Sequence, residues 1–547
     1  MKLLRSRLLA GAALATIICG LFIGATYYRG ITSAHASTPA PSNQHMSLNC
    51  ETSSRLCSEV YDSYKVFHNY KYVGHDEPST LYYSDVPGSG NQMQYELKLP
   101  TDPSPTNPMQ RGKSYNFQLQ IALWFGMAMC DTQSYPELLS TCTPDSDKNI
   151  VDPSISPKHP GTAFMEMQFY PPGWAPWPAG DSCDPTKWCA ALNIDSLGLN
   201  PVTGQPNNAT CLGTVGEETV NFAFITLSGV PHAPANPVDA TISTYTPDPA
   251  TDLFMNSGDE IITSLHDTPS GLKIVLNDLT SGQTGSMTAS AANTFGQVQY
   301  NPNGNTCNNI PYNFHPMYST SSEKTRVPWA AHSYNVAFDD EIGHFDFCNG
   351  SNAITPGAAC PAGNTEGIPG DHEATDSDDA ACFPASSSLL VQVSGCYGTN
   401  TGFDGTSYQD LWPGNSPNRP TPIQFSSPLT GSGYNIQYSR VAFEADLPRI
   451  ENTCNRQTGA GCTLIPTTDD GGSAVFYPFY SITNQGSEGC VWEIGGRIPG
   501  SITDFGQNNQ YGQMISLSYT GMGGHPTTEL EDFRQILSHN PCPSGDA

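Results

Sequence analysis

Three stretches of the chain bring together residues able to do chemistry. The first is Ala163-Phe164-Met165-Glu166-Met167-Gln168-Phe169-Tyr170, followed by a loop through Trp177. On a strand, Glu166 and Gln168 share one face and Met165, Met167 and Phe169 the other. One face then packs a core, and the other presents a carboxylate and an amide. Tyr170, Trp174 and Trp177 follow among prolines. Rigid exposed aromatics beside strand-borne acids and amides suit sugar rings, which stack their C–H faces on aromatics and bind through hydroxyls. The plain alternative is that Trp and Pro clamp a loop over the core and that Glu166 is an ordinary exposed acid.

The second stretch, Ala331 to Cys348 (AHSYNVAFDDEIGHFDFC), is the densest mix of His and acids in the chain. If its second half is a strand, His344 and Asp346 share a face and join the substrate-binding set. Glycoside hydrolysis needs two carboxyl groups, about 5–5.5 Å apart for retention or about 6.5–9.5 Å for inversion. Glu166 with Asp340 or Glu341 is the expected catalytic pair. A metal-dependent hydrolase using His332, His344, Asp346 and His372 is a further expectation, although the HExxH pattern of zinc proteases is missing. The alternative here is a capped turn leading into a disulfide-tied strand.

The third stretch holds Asp371, Glu373, Asp376, Asp378 and Asp379 within nine residues. Carboxylates this dense are solvated or neutralised, and calcium takes six to eight oxygens from such groups. The spacing is not that of an EF-hand, so the choice lies between a generic calcium loop and a solvated charge run. No GxSxG elbow, GxxxxGK[ST] loop or strand-borne GxGxxG occurs, which argues against serine-hydrolase and nucleotide chemistry and against a nucleotide cofactor.

The elements that position these residues read as strands. Residues 115–123 and 95–99 alternate apolar and polar with period two. Residues 222–227, 260–265, 272–277, 297–300, 436–443, 474–480 and 514–519 are further strand candidates. Asp267-Thr268-Pro269-Ser270-Gly271 is a hairpin connection, and residues 281–285 form another loop. Only residues 527–537 (TTELEDFRQIL) read as a helix, with acids in the first turn and Arg534 in the last. Many short strands with frequent turns imply an all-β fold: a β-sandwich or jelly roll, one decorated or two packed domains, few helices. The expected division is 50–300 and 301–547.

The N-terminus carries Lys2, Arg5 and Arg7, an apolar run from Leu8 to about Ala25, and Ala34-His35-Ala36, the three parts of an export signal over residues 1–36. The run is also long enough for an uncleaved anchor, with the body outside in either case. Residues 37–49 read as a flexible lead. Cys19 lacks the small residue before it that a lipid attachment needs. Of 17 Cys, the 16 beyond the signal form no CxxC pair, and their even number in an exported chain points to disulfides. Cys50–Cys57, Cys130–Cys142, Cys183–Cys189 and Cys454–Cys462 are the local pairings the spacing suggests. Acids outnumber bases 51 to 22, which excludes nucleic acid as a partner and disfavours a membrane partner beyond the N-terminal segment. Asn208-Ala209-Thr210 and Asn349-Gly350-Ser351 are glycosylation sequons.

The runs MEMQFYPPGW, WCAALNIDSL, NDLTSGQTGSMTAS and AHSYNVAFDDEIGHFDFC resemble a group of large secreted, cysteine-rich proteins of fungi and soil bacteria that lack an assigned function. The resemblance covers most of residues 60–520 and implies an exported, disulfide-bonded globular body. It transfers no catalytic residue. The expectation is an extracellular protein acting on polysaccharide or glycoconjugate, with a non-catalytic, calcium-assisted carbohydrate-binding or adhesion protein as the alternative.

Overall fold

A computed structural model describes residues 64–67, 70–73, 79–84, 88–103, 114–116, 122–133, 162–173, 182–198, 205–216, 218–316, 329–333, 342–345, 403–405, 417, 420–421, 423–447, 480–484, 490–494, 513–520, 526–536, 540 and 542. The fold is all-β, disulfide-bonded, and built on two large antiparallel sheets.

The smaller of the two has nine strands and follows the alternation of its sequence. Its centre is Gln92–Lys98, Glu260–Thr268 and Gly271–Asp278. Met93, Tyr95 and Leu97 are buried, as are Ile261 and Leu265, and Leu272, Ile274 and Leu276. The residues between them lie nearer the surface, so one face is core and the other faces water. The expected hairpin is present: Thr268 pairs with Gly271 across Pro269-Ser270. Gly271 takes φ 114°, which favours glycine.

The ten-stranded sheet is different. Its central strands are β1 (Leu123–Cys130), β2 (Thr162–Tyr170) and β3 (Lys187–Leu197). β4 (Glu218–Phe224) lies on β3, and β5 (Trp329–Ser333) on β1. Beyond β5 come Ser79–Tyr83, Arg440–Leu447, Pro526–Ile536 and Gln513–Thr520. Both large sheets thus take strands from either side of residue 300.

The two sheets pack face to face through aromatic side chains. Tyr95 stacks on Phe125 at 4.3 Å between centroids, Phe125 meets Phe425 edge-on at 5.5 Å, and Tyr82 meets Trp492 at 6.0 Å. Met127, Met165, Met167, Phe169, Leu192 and Ile194 face the same core. The opposite face of β1 to β4 is covered as well. Trp124, Phe164, Tyr170, Ala191, Phe222 and Phe224 form a second buried cluster there. A sheet buried on both faces has no polar face to show in its sequence, as LWFGMAMC in β1 illustrates.

Two expectations are corrected. The helix expected over 527–537 is not formed in its described part: Pro526–Ile536 is a strand, paired with Arg440–Leu447 on one side and Gln513–Thr520 on the other. A strand with two neighbours satisfies its backbone groups on both sides, and that pairing outweighs a modest local helix propensity. The α-helix found among the described residues is instead Ala209–Val215, capped by Asn208, whose side chain accepts from the Cys211 amide. Asn208 Nδ2 donates to the carbonyls of Gln299 and Thr306. The first sequon is therefore a buried cap and not an open acceptor.

Cys183–Cys189 is bridged as its spacing suggests. Cys211–Cys307 and Cys490–Cys542 are bridges that local spacing does not foretell. The pairs Cys50–Cys57 and Cys454–Cys462, and Cys142, lie outside the described residues.

Candidate functional site

The covered face of β1 to β4 holds a polar row inside an apolar surround. Register places it. Trp124, Gln168, Ala191 and Phe224 stand opposite one another across the four strands, and Gly126, Glu166, Asn193 and Phe222 form the next row. Phe164 and Asp195 pair in the row after. Alternation therefore puts Glu166, Gln168 and Tyr170 of β2 on one face with Asn193 and Asp195 of β3.

These side chains bond to one another in a directed chain. The Tyr170 hydroxyl and Asn193 Nδ2 both donate to Gln168 Oε1. Gln168 Nε2 donates to Glu166 Oε2 at 2.5 Å. Glu166 in turn hydrogen-bonds Asp195. Burial pushes the Asp195 carboxyl up to about 7, and the hydrogen bond with Glu166 pulls it back in part. That sign is the one expected when Glu166 donates to the Asp195 carboxylate. Two carboxyl groups in such contact cannot both ionise, so they share a proton.

The walls are aromatic. Trp124 and Phe164 meet edge-on at 5.5 Å over Gly126. A Cβ on Gly126 would lie 2.5 Å from the Phe164 ring, 2.6 Å from Trp124 and 2.7 Å from the Met165 carbonyl. Glycine opposite Glu166 is what lets the two rings come this close to the strand. Phe222 packs on Tyr245 at 5.3 Å. Burial, and then the Asp195 charge, raise the Tyr245 hydroxyl to about 12.

Tyr245 arrives on a short turn, Ile242–Tyr245, held by His232. His232 Nδ1 lies 2.8 Å from Asp252 Oδ1 and Nε2 lies 2.9 Å from the Ser243 carbonyl, with the ring stacked on Phe224 at 5.7 Å. Both ring nitrogens face acceptors, which the doubly protonated imidazolium alone satisfies. The hydrogen bond with Asp252 is the largest cause raising its pKa.

Glu166 and Gln168 share a face as their spacing predicts. Tyr170 is corrected: it is fully buried, with its hydroxyl in the network, and is not an exposed platform. Glu166 is 1 % exposed, so the ordinary-surface-acid alternative is also corrected. Asp340, Glu341, Trp174, Trp177, Asp346, His372 and the acidic loop residues Asp371, Glu373, Asp376, Asp378 and Asp379 lie outside the described residues. His344 is on a strand of a separate three-stranded sheet with Ser114–Asn116 and Phe403–Gly405. His332 is on β5, at the register position opposite Trp124.

Asn193 and Asp195 are the residues sequence reasoning missed. Their signal was two polar residues at period two that interrupt and end the apolar run beginning at Trp188, the same pattern as Glu166 and Gln168. Polar groups in a doubly buried strand require partners, and a neighbouring strand with the same pattern supplies them.

Among the described residues no group of three or more His, Cys, Asp or Glu is placed to hold a metal, and no helix is long and apolar enough to cross a membrane. No family of proteins, no curated protein and no solved structure matches this chain.

Proposed function

We propose that this chain is an exported hydrolase that splits its substrate with water, using Glu166 and Asp195 as one acid–base pair. The observation that carries the reading is that register sets Glu166 and Asp195 on one buried face of neighbouring strands, in a polar row among aromatic rings. Perturbed acids in a buried polar cluster are where catalytic pairs are found. Asp195, as carboxylate, takes a proton from water while the water oxygen bonds to the substrate carbon. Glu166 gives its proton to the departing oxygen as that bond breaks. The proton then passes from Asp195 back to Glu166 through the bond they share, and the pair is ready again.

The substrate class we favour is polysaccharide or glycoconjugate, because acids and amides stand beside aromatic side chains here, with Tyr245 only partly buried at the edge of the cluster. In this reading Asp195 stands where Asp340 or Glu341 was expected. A second reading rests on distance. Carboxyl groups that flank a glycosidic bond stand about 5 Å or more apart, and a hydrogen-bonded pair is closer. A pair in contact suits addition of water to an acyl carbonyl held above it, as in an ester or amide.

The test uses purified protein on panels of wall polysaccharides and of denatured protein and ester substrates, from pH 3 to 8, beside Glu166→Gln and Asp195→Asn. New reducing ends lost in both variants support the glycan reading. Acyl cleavage lost in both supports the second. Activity that survives both variants, or no activity on either panel, overturns the catalytic pair and leaves the network a buried structural seam.

A further inference from the structure

The Asn193 amide is 1 % exposed, and its two ends are unlike. Nδ2 donates to Gln168 Oε1 and lies 3.5 Å from the Tyr170 hydroxyl. Oδ1 accepts no hydrogen bond. A buried amide oxygen in that condition is unfavourable enough to need a donor, and none of the described side chains donates to it. Asn193 stands directly opposite Glu166, and Asp195 follows it on the same face. Nδ2 is engaged on the Gln168 side, and Asp195 lies two residues further along the same face of β3.

We infer that Asn193 Oδ1 accepts a hydrogen bond from the water molecule that reacts at the Glu166–Asp195 pair, which makes Asn193 the positioning residue for the nucleophile. The inference rests on the hydrolase reading above. Its chemistry is simple. A water with one O–H on Asn193 Oδ1 and the other on the Asp195 carboxylate has both protons fixed and a lone pair left to attack. The O–H on Asp195 loses its proton to that carboxylate as the new C–O bond forms. Asn193 neither gains nor loses a proton; it sets the direction of the lone pair, and misdirection of a reacting atom by about 1 Å costs on the order of 100-fold in rate.

Two measurements test this. Neutron diffraction from the full chain distinguishes the amide ends and shows any ordered water. The expected map has a water bridging Asn193 Oδ1 and an Asp195 oxygen. A map without that water, or with the Asn193 and Gln168 amides both reversed so that Gln168 satisfies Oδ1, overturns the inference even in an active enzyme. The second measurement is the kinetics of Asn193→Leu on whichever substrate the panels identify. The expected result is kcat lowered about 100-fold with KM within twofold, and the pH profile of kcat unmoved because Asn193 does not titrate. An unchanged kcat overturns the inference. A wild type that cleaves nothing overturns the hydrolase reading and with it the role of the water, whereas an active wild type lacking the bridging water overturns the role of Asn193 alone.

Discussion

Replacing Asp195 by Asn should remove the pH dependence that this carboxyl imposes on stability. Burial raises the Asp195 carboxyl from 3.8 to about 7 in the folded chain. Each pKa unit is about 1.4 kcal/mol, so a rise of about 3 units is worth up to about 4 kcal/mol. The sign follows from proton uptake. Between about pH 4 and 7 the folded chain holds a proton that the unfolded chain has lost, so raising the pH through that window favours unfolding. Wild type is then most stable near pH 4, loses up to about 4 kcal/mol by pH 7, and changes no further from this group above that. Asn is nearly the same size, stays neutral and still hydrogen-bonds Glu166. Asp102 is also raised to about 7 by burial, but it is present in both proteins and cancels in their difference. The assay is urea unfolding at pH 4, 5, 6, 7 and 8 with disulfides intact, followed by tryptophan fluorescence. The two proteins should be close at pH 4, and Asp195→Asn should be the more stable at pH 8. Parallel curves across the whole range refute the reasoning, because they mean that Asp195 takes up no proton on folding.

Three further outcomes are expected. His232 should titrate above its usual value of 6.5, read from its ring protons by NMR; the stability it supplies is full below pH 6.5 and lost as pH rises through the raised value, and His232→Gln should lack that loss. A midpoint at or below 6.5 contradicts the imidazolium assignment. Gly126→Ala should cost about 3 kcal/mol or more in urea unfolding, since its Cβ meets two rings and a backbone carbonyl at once; a cost under about 1 kcal/mol means that the rings can part. In a glycosylating host Asn208 should remain unmodified by peptide mass mapping, and Asn208→Ala should lose about 1 kcal/mol with its cap; a glycan on Asn208 contradicts its burial.

What could be read in the sequence was whatever water imposes on one side. Gln92–Lys98, Glu260–Thr268 and Gly271–Asp278 alternate because one face is solvated, and their strands and the hairpin at Pro269-Ser270 were legible for that reason. The ten-stranded sheet has no such face over β1 to β3, so β1 carries no period and β2 and β3 show one only at Glu166, Gln168, Asn193 and Asp195. Pro526–Ile536 shows the converse: in the sequence Leu530, Phe533 and Leu537 sit at helical spacing, and only the two neighbouring strands decide otherwise. Cys211–Cys307 joins residues 96 apart in sequence, a pairing fixed by topology alone. In the site, the shared face of Glu166 and Gln168 followed from alternation within one strand. The partner of Glu166 did not, because it depends on the register between β2 and β3.

That register explains why an acid pair can persist where Glu166 is 1 % and Asp195 7 % exposed. An isolated carboxylate there would lose most of its hydration with nothing in return. Here each donor points toward the pair: Tyr170 and Asn193 onto Gln168, Gln168 onto Glu166, Glu166 onto Asp195. Bonds aligned in one sense polarise one another, so the negative charge at the end of the chain is spread over several groups without a cation. A structural seam needs no such direction, since amides and hydroxyls alone would join two strands equally well. The chain ends at Asp195, on the same face as Asn193, whose oxygen accepts no bond, and its charge helps to raise the Tyr245 hydroxyl. A charge kept in a low-dielectric site by a polarised chain is poised to take a proton, and this asymmetry favours chemistry over architecture at the covered face.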